Sequence, residues 1–216
     1  MKTALIVWGG WEGHTPEAAA HIVADMLRAD DFEVEVSNST TSFADAAIHD
    51  LNLIVPIITQ SSAQDEEISN LVAAVQSGVG LGGFHGGMGD SFRNAVDYQF
   101  MVGGQWVAHP GNIIDYTVNI GDEADSITQG IADFDYRSEQ YYMHVDPANQ
   151  VLATTTFSGE HAPWTKGVVM PVLWKRHHGA GRVFYSALGH TADEFAVPEM
   201  KELLRRGLNW AARDDS

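Results

Sequence analysis

The chain has 216 residues, a formal charge of −17 and no cysteine. That length suits one α/β domain with a core of its own, while the acidity would repel nucleic acid and anionic membrane surfaces. The missing cysteine excludes thiol nucleophiles, disulfides and cysteine-ligated zinc. The first apolar run, Ala4 to Trp8, is too short for a secretory leader, and nothing approaches the roughly 18 residues of a membrane span. A cytoplasmic protein is expected.

Residues 3–8 read as an opening strand, followed by the loop 9–14. Thr15 is placed to cap a helix whose first position is Pro16, the site that tolerates a missing N–H. Ala19, Ile22, Val23, Met26 and Leu27 recur at three- and four-residue steps and give that helix one apolar face. Residues 32–36 alternate as a second strand. Residues 51–58 are nearly all apolar, the pattern of a strand covered on both sides. A helix over 63–76 follows, acidic in its first turn and stopped by Gly78, with Ile68, Leu71, Val72 and Val75 as its buried stripe.

Val79, Gly80 and Leu81 begin a fourth strand. It runs into Gly82-Gly83-Phe84-His85-Gly86-Gly87, which sets His85 at the apex of a glycine-lined turn. A strand that turns sharply into a helix lifts one side chain to the carboxyl edge of the sheet, where α/β proteins bind ligands. A further helix is expected over 91–101. This strand–helix alternation predicts a flavodoxin-like, doubly wound parallel sheet.

Beyond it the chain changes character. Residues 112–160 are rich in Asp, Tyr and Thr, with strands expected over 113–120 and 151–156. Residues 168–174 and 182–188 read as an antiparallel pair, and 198–212 as a closing helix. A single domain over 1–216 with an antiparallel extension is the expected architecture.

On such a sheet, Glu12 and His14 follow the first strand, Thr59 and Gln60 the third, and His85 the fourth, so they share one rim. Three more histidines lie in loops of unusual composition. His109 follows Trp106, which would suit sugar stacking. His144 lies five residues after Glu139, with Tyr142 between, and His190 precedes Asp193 and Glu194. No metal-ligating spacing occurs, so a metal site would have to be assembled in three dimensions. Trp8 and Trp11 suit either core or sugar platform. His177 and His178 sit in a basic turn expected to face solvent. His21, His49 and His161 have no supporting neighbours in sequence. The glycines at 86–89 would form only a weak anion cradle, with Arg93 the one nearby cation.

Four segments in order, Gly83-Phe84-His85-Gly86-Gly87, residues 103–110, Glu139-Gln140-Tyr141-Tyr142 and residues 181–190, resemble the ThuA-like (trehalose utilisation) family across essentially the whole chain. That family is similar in fold to class I glutamine amidotransferases, whose elbow is Gly-x-Cys-x-Gly. His85 takes the place of the cysteine, and His190 falls near the late catalytic histidine. Imidazole cannot form the thioester of that mechanism, so glutaminase activity is not expected.

The resemblance implies carbohydrate metabolism, with a disaccharide or keto-sugar as small-molecule partner. It also implies a divalent metal, zinc or manganese, and no nucleotide cofactor. The expected catalytic residues are His85, Glu139 and His190. Glu12, His14, Trp106, Tyr142 and Asp193 are the expected substrate contacts, and His85, His109 and His144 the expected metal ligands. A base such as Glu139 or a histidine would remove a proton beside a carbonyl while metal or imidazolium stabilises the enolate oxygen. Isomerisation, elimination and hydrolysis all remain open on that reading. The alternative is a non-catalytic sugar-binding or regulatory module. The acidic surface and paired-strand extension leave a homodimer open.

Overall fold

The computed structural model describes residues 1–214. Its first half follows the periodicities of the sequence: β1 (Lys2–Gly10), α1 (Pro16–Ala29), β2 (Phe32–Ser37), β3 (Leu53–Thr59), α2 (Asp65–Gln76) and β4 (Gly80–Phe84). There follow α3 (His85–Gly89), α4 (Val96–Val102), β5 (Gly104–Ala108), β6 (Ile113–Ile120), β7 (Phe134–Glu139) and β8 (Tyr142–Val145). The chain ends with β9 (Gln150–Thr156), β10 (Val169–His178), β11 (Gly181–Ser186) and α5 (Pro198–Ala211).

Nine strands form one continuous sheet in the order β2-β1-β3-β4-β11-β10-β9-β6-β7. β2, β1, β3, β4 and β11 run parallel; β10, β9, β6 and β7 continue the sheet antiparallel. β5 and β8 pair separately as a two-stranded ribbon. This is the flavodoxin-like α/β fold with an antiparallel extension. The chain steps from β1 outward to β2, then returns past β1 to β3. Right-handed crossovers therefore put α1 and α2 on opposite faces of the sheet. That reversal leaves a crevice at the carboxyl ends of β1 and β3, where such folds bind ligands.

Burial explains the pattern. All seven residues of β3 are buried, because α helices cover both of its faces. α1 packs through Ala20, Val23, Ala24 and Leu27, and α5 through Leu203, Leu204 and Leu208, each essentially inaccessible to water. A bidentate ion pair from Arg205 to Asp30, at 3.0 Å to each oxygen, ties α5 to the end of α1. α5 lies so close to the sheet that a Cβ at position 80 would stand 2.1 Å from the Ala211 carbonyl oxygen. Among the described residues no helix is long and apolar enough to cross a membrane.

Several expectations change. Thr15 does not cap α1: its φ is 47°, and its hydroxyl instead accepts a 2.8 Å bond from the Ala192 N–H, joining the start of α1 to the loop after β11. The helix expected over 91–101 is two pieces. α3 begins at His85 itself, and α4 begins only at Val96, because the Ser91 hydroxyl bonds the carbonyls of Ile58 and Gly87 and pins the chain between them. β5 and β8 have five and four residues, too few for a period to show, and β7 alternates Phe134, Tyr136 and Ser138 with exposed Asp135 and Arg137, a strand not among the expectations. β10 extends through His178, so that ring is buried against Phe100 and Gln76, not solvated; His177 is exposed as expected. His49 also has a partner, Asn70 Oδ1 at 3.0 Å.

Candidate active site

The carboxyl ends of five strands meet at one point. β1 ends at Gly10, and a short 3-10 turn over Glu12–His14 buries His14 while leaving Glu12 exposed. The Thr59 hydroxyl, at the end of β3, holds His14 Nδ1 at 2.7 Å. A Cβ at position 86 would lie 2.6 Å from the His14 ring and 2.9 Å from Thr59 Cγ2, so only glycine lets these two side chains sit against the elbow.

His85 follows β4 directly and opens α3 with φ 49°, the left-handed backbone that non-glycine residues seldom adopt. Three contacts hold it there. Its Nδ1 lies 2.9 Å from the Ala187 carbonyl, Tyr141 stacks on its ring at 4.0 Å, and the Tyr185 hydroxyl donates a 2.9 Å bond to its carbonyl. The loop after β11 carries His190, whose N–H donates to the Glu194 carboxylate at 2.9 Å. That carboxylate also accepts from the Tyr136 hydroxyl. Glu139, buried at the end of β7, completes the group.

Glu139 organises the cluster. Its Oε2 lies 3.1 Å from His85 Nε2, 3.4 Å from His190 Nδ1 and 3.9 Å from His14 Nε2, while its Oε1 lies 3.6 Å from His109 Nε2. His85 Nε2 and His190 Nδ1 are 3.3 Å apart. One ligand atom from each of His14, His85, Glu139 and His190 falls within 4.8 Å of the others.

Protonation follows from these partners. A carbonyl can only accept, so His85 Nδ1 carries a proton, and its Nε2 faces the carboxylate and a second imidazole. Converging lone pairs repel unless a proton or a cation lies among them. Imidazole and carboxylate are the donors preferred by zinc and accepted by manganese. Two ligands of a tetrahedral zinc lie about 3.3 Å apart, which the shorter separations match closely. The residues fit a divalent cation.

Electrostatics agree. Burial works to raise the Glu139 pKa, but the hydrogen bond from His85 and the surrounding imidazoles outweigh it and push the carboxyl down to about 2. Burial, with His85 and His190 alongside, lowers His14 to about 3. His190 is lowered by burial and by His85. Neutral His14 and His190 beside an ionised Glu139 offer lone pairs and one negative charge to a cation.

A cavity of about 270 Å³ opens above this floor, with Trp11, Trp106 and Tyr141 as aromatic walls and Gln60, Asp90 and Asn112 as polar ones. Asp90 is buried and holds Arg93 at 2.6 and 2.8 Å, and the Arg93 guanidinium sits 5.0 Å over the Trp106 ring. Trp106 Nε1 and His109 Nδ1 are buried without a hydrogen-bond partner, an unusual state for two neighbouring polar atoms. Backbone strain concentrates here too. Of six non-glycine residues with positive φ among the described residues, Gln60 and Asn112 line the cavity, Thr15 follows His14, His85 contacts Glu139 on its floor, and Phe92 and Asp31 lie outside it. Strain of this kind persists where the surroundings over-determine it, as at functional sites.

The fold thus gathers His14, His85, Trp106, His109, Glu139 and His190. Other expected residues stay outside. Glu12 is on the outer side of its turn, and Asp193 is exposed while Glu194 makes the anchoring contacts. Tyr142 packs on Phe157, because alternation along the chain turns Tyr141, not Tyr142, toward the cavity. His144 corrects the expected ligand set His85–His109–His144. It is exposed on β8, next to buried Met143, and the convergent set is His14, His85, Glu139 and His190. His109 approaches only the outer carboxylate oxygen. Tyr141 and Asp90 were missed; the two-residue spacing from Glu139 to Tyr141 was the one available signal for the former.

The depressed imidazoles predict acid sensitivity of the metal-free protein. The unfolded chain takes up protons at His14 and His190 below about pH 6.5, whereas the folded chain does not, so stability present above that pH is lost as pH falls. Between pH 6.5 and 5, His14 alone accounts for on the order of 2 kcal/mol. Urea midpoints measured in chelator at pH 7.5 and 5.0 should fall accordingly, and His14→Gln should flatten the difference. Equal midpoints for the unaltered protein would contradict the neutral-imidazole assignment.

A family model described as ThuA, trehalose utilisation, matches residues 3–211. No curated protein matches the sequence. Among solved structures, a ThuA-like protein from Bacteroides uniformis is 18% identical with a TM-score of 0.80, the match covering 97% of this chain and 91% of that one. A second from Parabacteroides merdae is 17% identical with a TM-score of 0.77, covering 100% and 92%. A cytoplasmic protein from Salmonella typhimurium LT2 is 13% identical with a TM-score of 0.67, covering 99% and 100%. These likenesses establish a shared fold.

Proposed function

Because the chain belongs to the ThuA family, described by trehalose utilisation, we propose that it is a cytoplasmic enzyme of carbohydrate metabolism acting on a sugar or keto-sugar with a divalent metal. One observation carries the reading: three imidazoles and a buried carboxylate converge beneath a cavity walled by aromatic rings. His14, His85, His190 and Glu139 would hold the cation, zinc or manganese. When bound, it would supply Lewis-acid polarisation of a sugar carbonyl or hydroxyl.

The chain's own residues do the rest. Trp11 and Trp106 present the apolar faces on which a pyranose ring stacks, and Tyr141, stacked with His85 and His109, closes the wall between them. Asp90, fixed by Arg93, offers carboxylate lone pairs to sugar hydroxyls. His109 is partly exposed and lines the cavity, with its Nε2 3.6 Å from the outer oxygen of Glu139, so it is the residue placed to take a proton from the carbon next to a carbonyl and return it. Proton movement there serves isomerisation and elimination, and protonation of a leaving oxygen serves hydrolysis.

The test is elemental analysis of purified protein, together with turnover of a panel of glycosides and 3-keto-glycosides. Stoichiometric zinc or manganese with chelator-sensitive turnover is the expected result. Sugar binding without turnover would reduce the protein to a binding module. Neither binding nor turnover of any panel member would remove the sugar assignment.

A further inference from the structure

A groove of about 630 Å³ runs alongside the cavity, bounded by the segment after β3 and the segment before α4, with Gln60, Ser61, Ser62, Ser69, Arg93 and Asp97 in its lining. Resting on the sugar reading above, we infer that this groove is a second subsite that takes the neutral polyol ring attached to the reacting sugar. Three observations lead there.

The two spaces share a wall. Gln60 lines both, and Arg93 of the groove is bonded to Asp90 of the cavity and lies over Trp106 of the cavity. A ligand reaching from one to the other passes Gln60 and the guanidinium. The cavity alone is slightly smaller than the roughly 300–1,000 Å³ typical of small-molecule sites, whereas cavity and groove together fall inside that range. One ring fits the first and a second ring needs the other.

The lining also selects the chemistry. Serine hydroxyls, the amides of Gln60 and Asn94 and the carboxylates of Asp65 and Asp97 offer mixed donors and acceptors, as the hydroxyls of a sugar require. Among the described residues Arg93 is the one cation that lines the groove, and Asp90 already neutralises it. Asp65 and Asp97 are left to repel a phosphate, so the attached group is an uncharged polyol and not a phosphorylated one.

The shared wall is built rigidly. Gln60 and Phe92 carry φ of 58° and 47°, and the Gln60 N–H donates a 3.0 Å bond to the Asp90 carbonyl. The Ser91 hydroxyl, bonded to two carbonyls, locks the same junction. A wall held this way is pre-organised for a ligand and loses little freedom on binding.

Calorimetry on the metal-loaded protein tests the inference, with methyl glucoside and trehalose, and their 3-keto forms, as probes. Trehalose or its keto form should bind at least about tenfold more tightly than the matching methyl glycoside, a difference of about 1.4 kcal/mol. Ser62→Trp, and independently Ser69→Trp, should erase that advantage while leaving methyl-glycoside affinity within about twofold. Both positions are exposed, so neither change disturbs the core. Ser158→Trp, in the separate groove beside β6, should change neither. Retained disaccharide preference in both groove variants, or its loss in Ser158→Trp, would overturn the subsite while leaving the sugar reading intact. Failure of the unaltered protein to bind any probe would overturn both.

Discussion

Glu139→Gln should strip the cluster of its metal and reduce turnover by at least about a thousandfold, while leaving the fold in place. Glu139 supplies the single negative charge among the four converging groups, and its Oε2 lies within 3.9 Å of three imidazole nitrogens. Glutamine has the same shape, so packing against Tyr141 and β7 survives. It cannot neutralise a divalent cation, and one orientation of its amide points N–H groups at the ligand nitrogens. The contacts that hold the Glu139 pKa at about 2 outweigh its desolvation cost, so the variant should also lose on the order of 2–3 kcal/mol of stability in chelator. Thermal unfolding with and without added zinc or manganese separates these effects. The unaltered protein should gain stability with metal in proportion to the logarithm of its concentration over the dissociation constant, and the variant should gain almost none. Stoichiometric metal and near-normal turnover in Glu139→Gln would exclude the carboxylate from the ligand set.

Substitutions at His85 should abolish turnover and also reveal the elbow's backbone. His85→Ala removes the contact to the Ala187 carbonyl and empties the space under Tyr141, which should cost about 2–4 kcal/mol. His85→Gly removes the same side chain, yet it should be more stable than the alanine variant by about 1 kcal/mol, because φ 49° suits glycine and strains a Cβ. That order reverses the usual ranking of alanine above glycine in a helix, and His85 begins α3. Urea midpoints for the two variants decide the matter. Alanine equal to or above glycine would mean the left-handed conformation is not maintained by the fold. Turnover surviving in both would place the chemistry elsewhere in the cavity.

Much of the parallel half was legible in the sequence. The stripe of Ala19, Val23 and Leu27 and the apolar run of β3 each report their surroundings directly, since a helix face or a doubly covered strand must bury what it carries. The elbow was legible for a related reason: only a strained turn needs glycine on both sides of a histidine. The antiparallel extension was harder. The inward positions of β7 are Phe134, Tyr136 and the polar Ser138, so its apolar stripe is broken, and β8 has four residues, too few for a period to appear. Register in that region therefore could not be read, and with it went the choice between Tyr141 and Tyr142 and the placing of His144 outside the site.

By itself, the sequence determined the chemistry available: no thiol, many imidazoles, aromatic rings near several of them, and a histidine where related folds place a nucleophile. It also determined the strand–helix order, because local burial periodicity encodes that order residue by residue. Only the tertiary structure decided which imidazoles meet. His14, His85, Glu139 and His190 stand at the ends of β1, β4, β7 and β11, and their convergence depends on strand order, on the sheet turning antiparallel beyond β11 and on a one-residue choice of facing. Those are long-range pairings between segments up to 176 positions apart, and no local pattern records them.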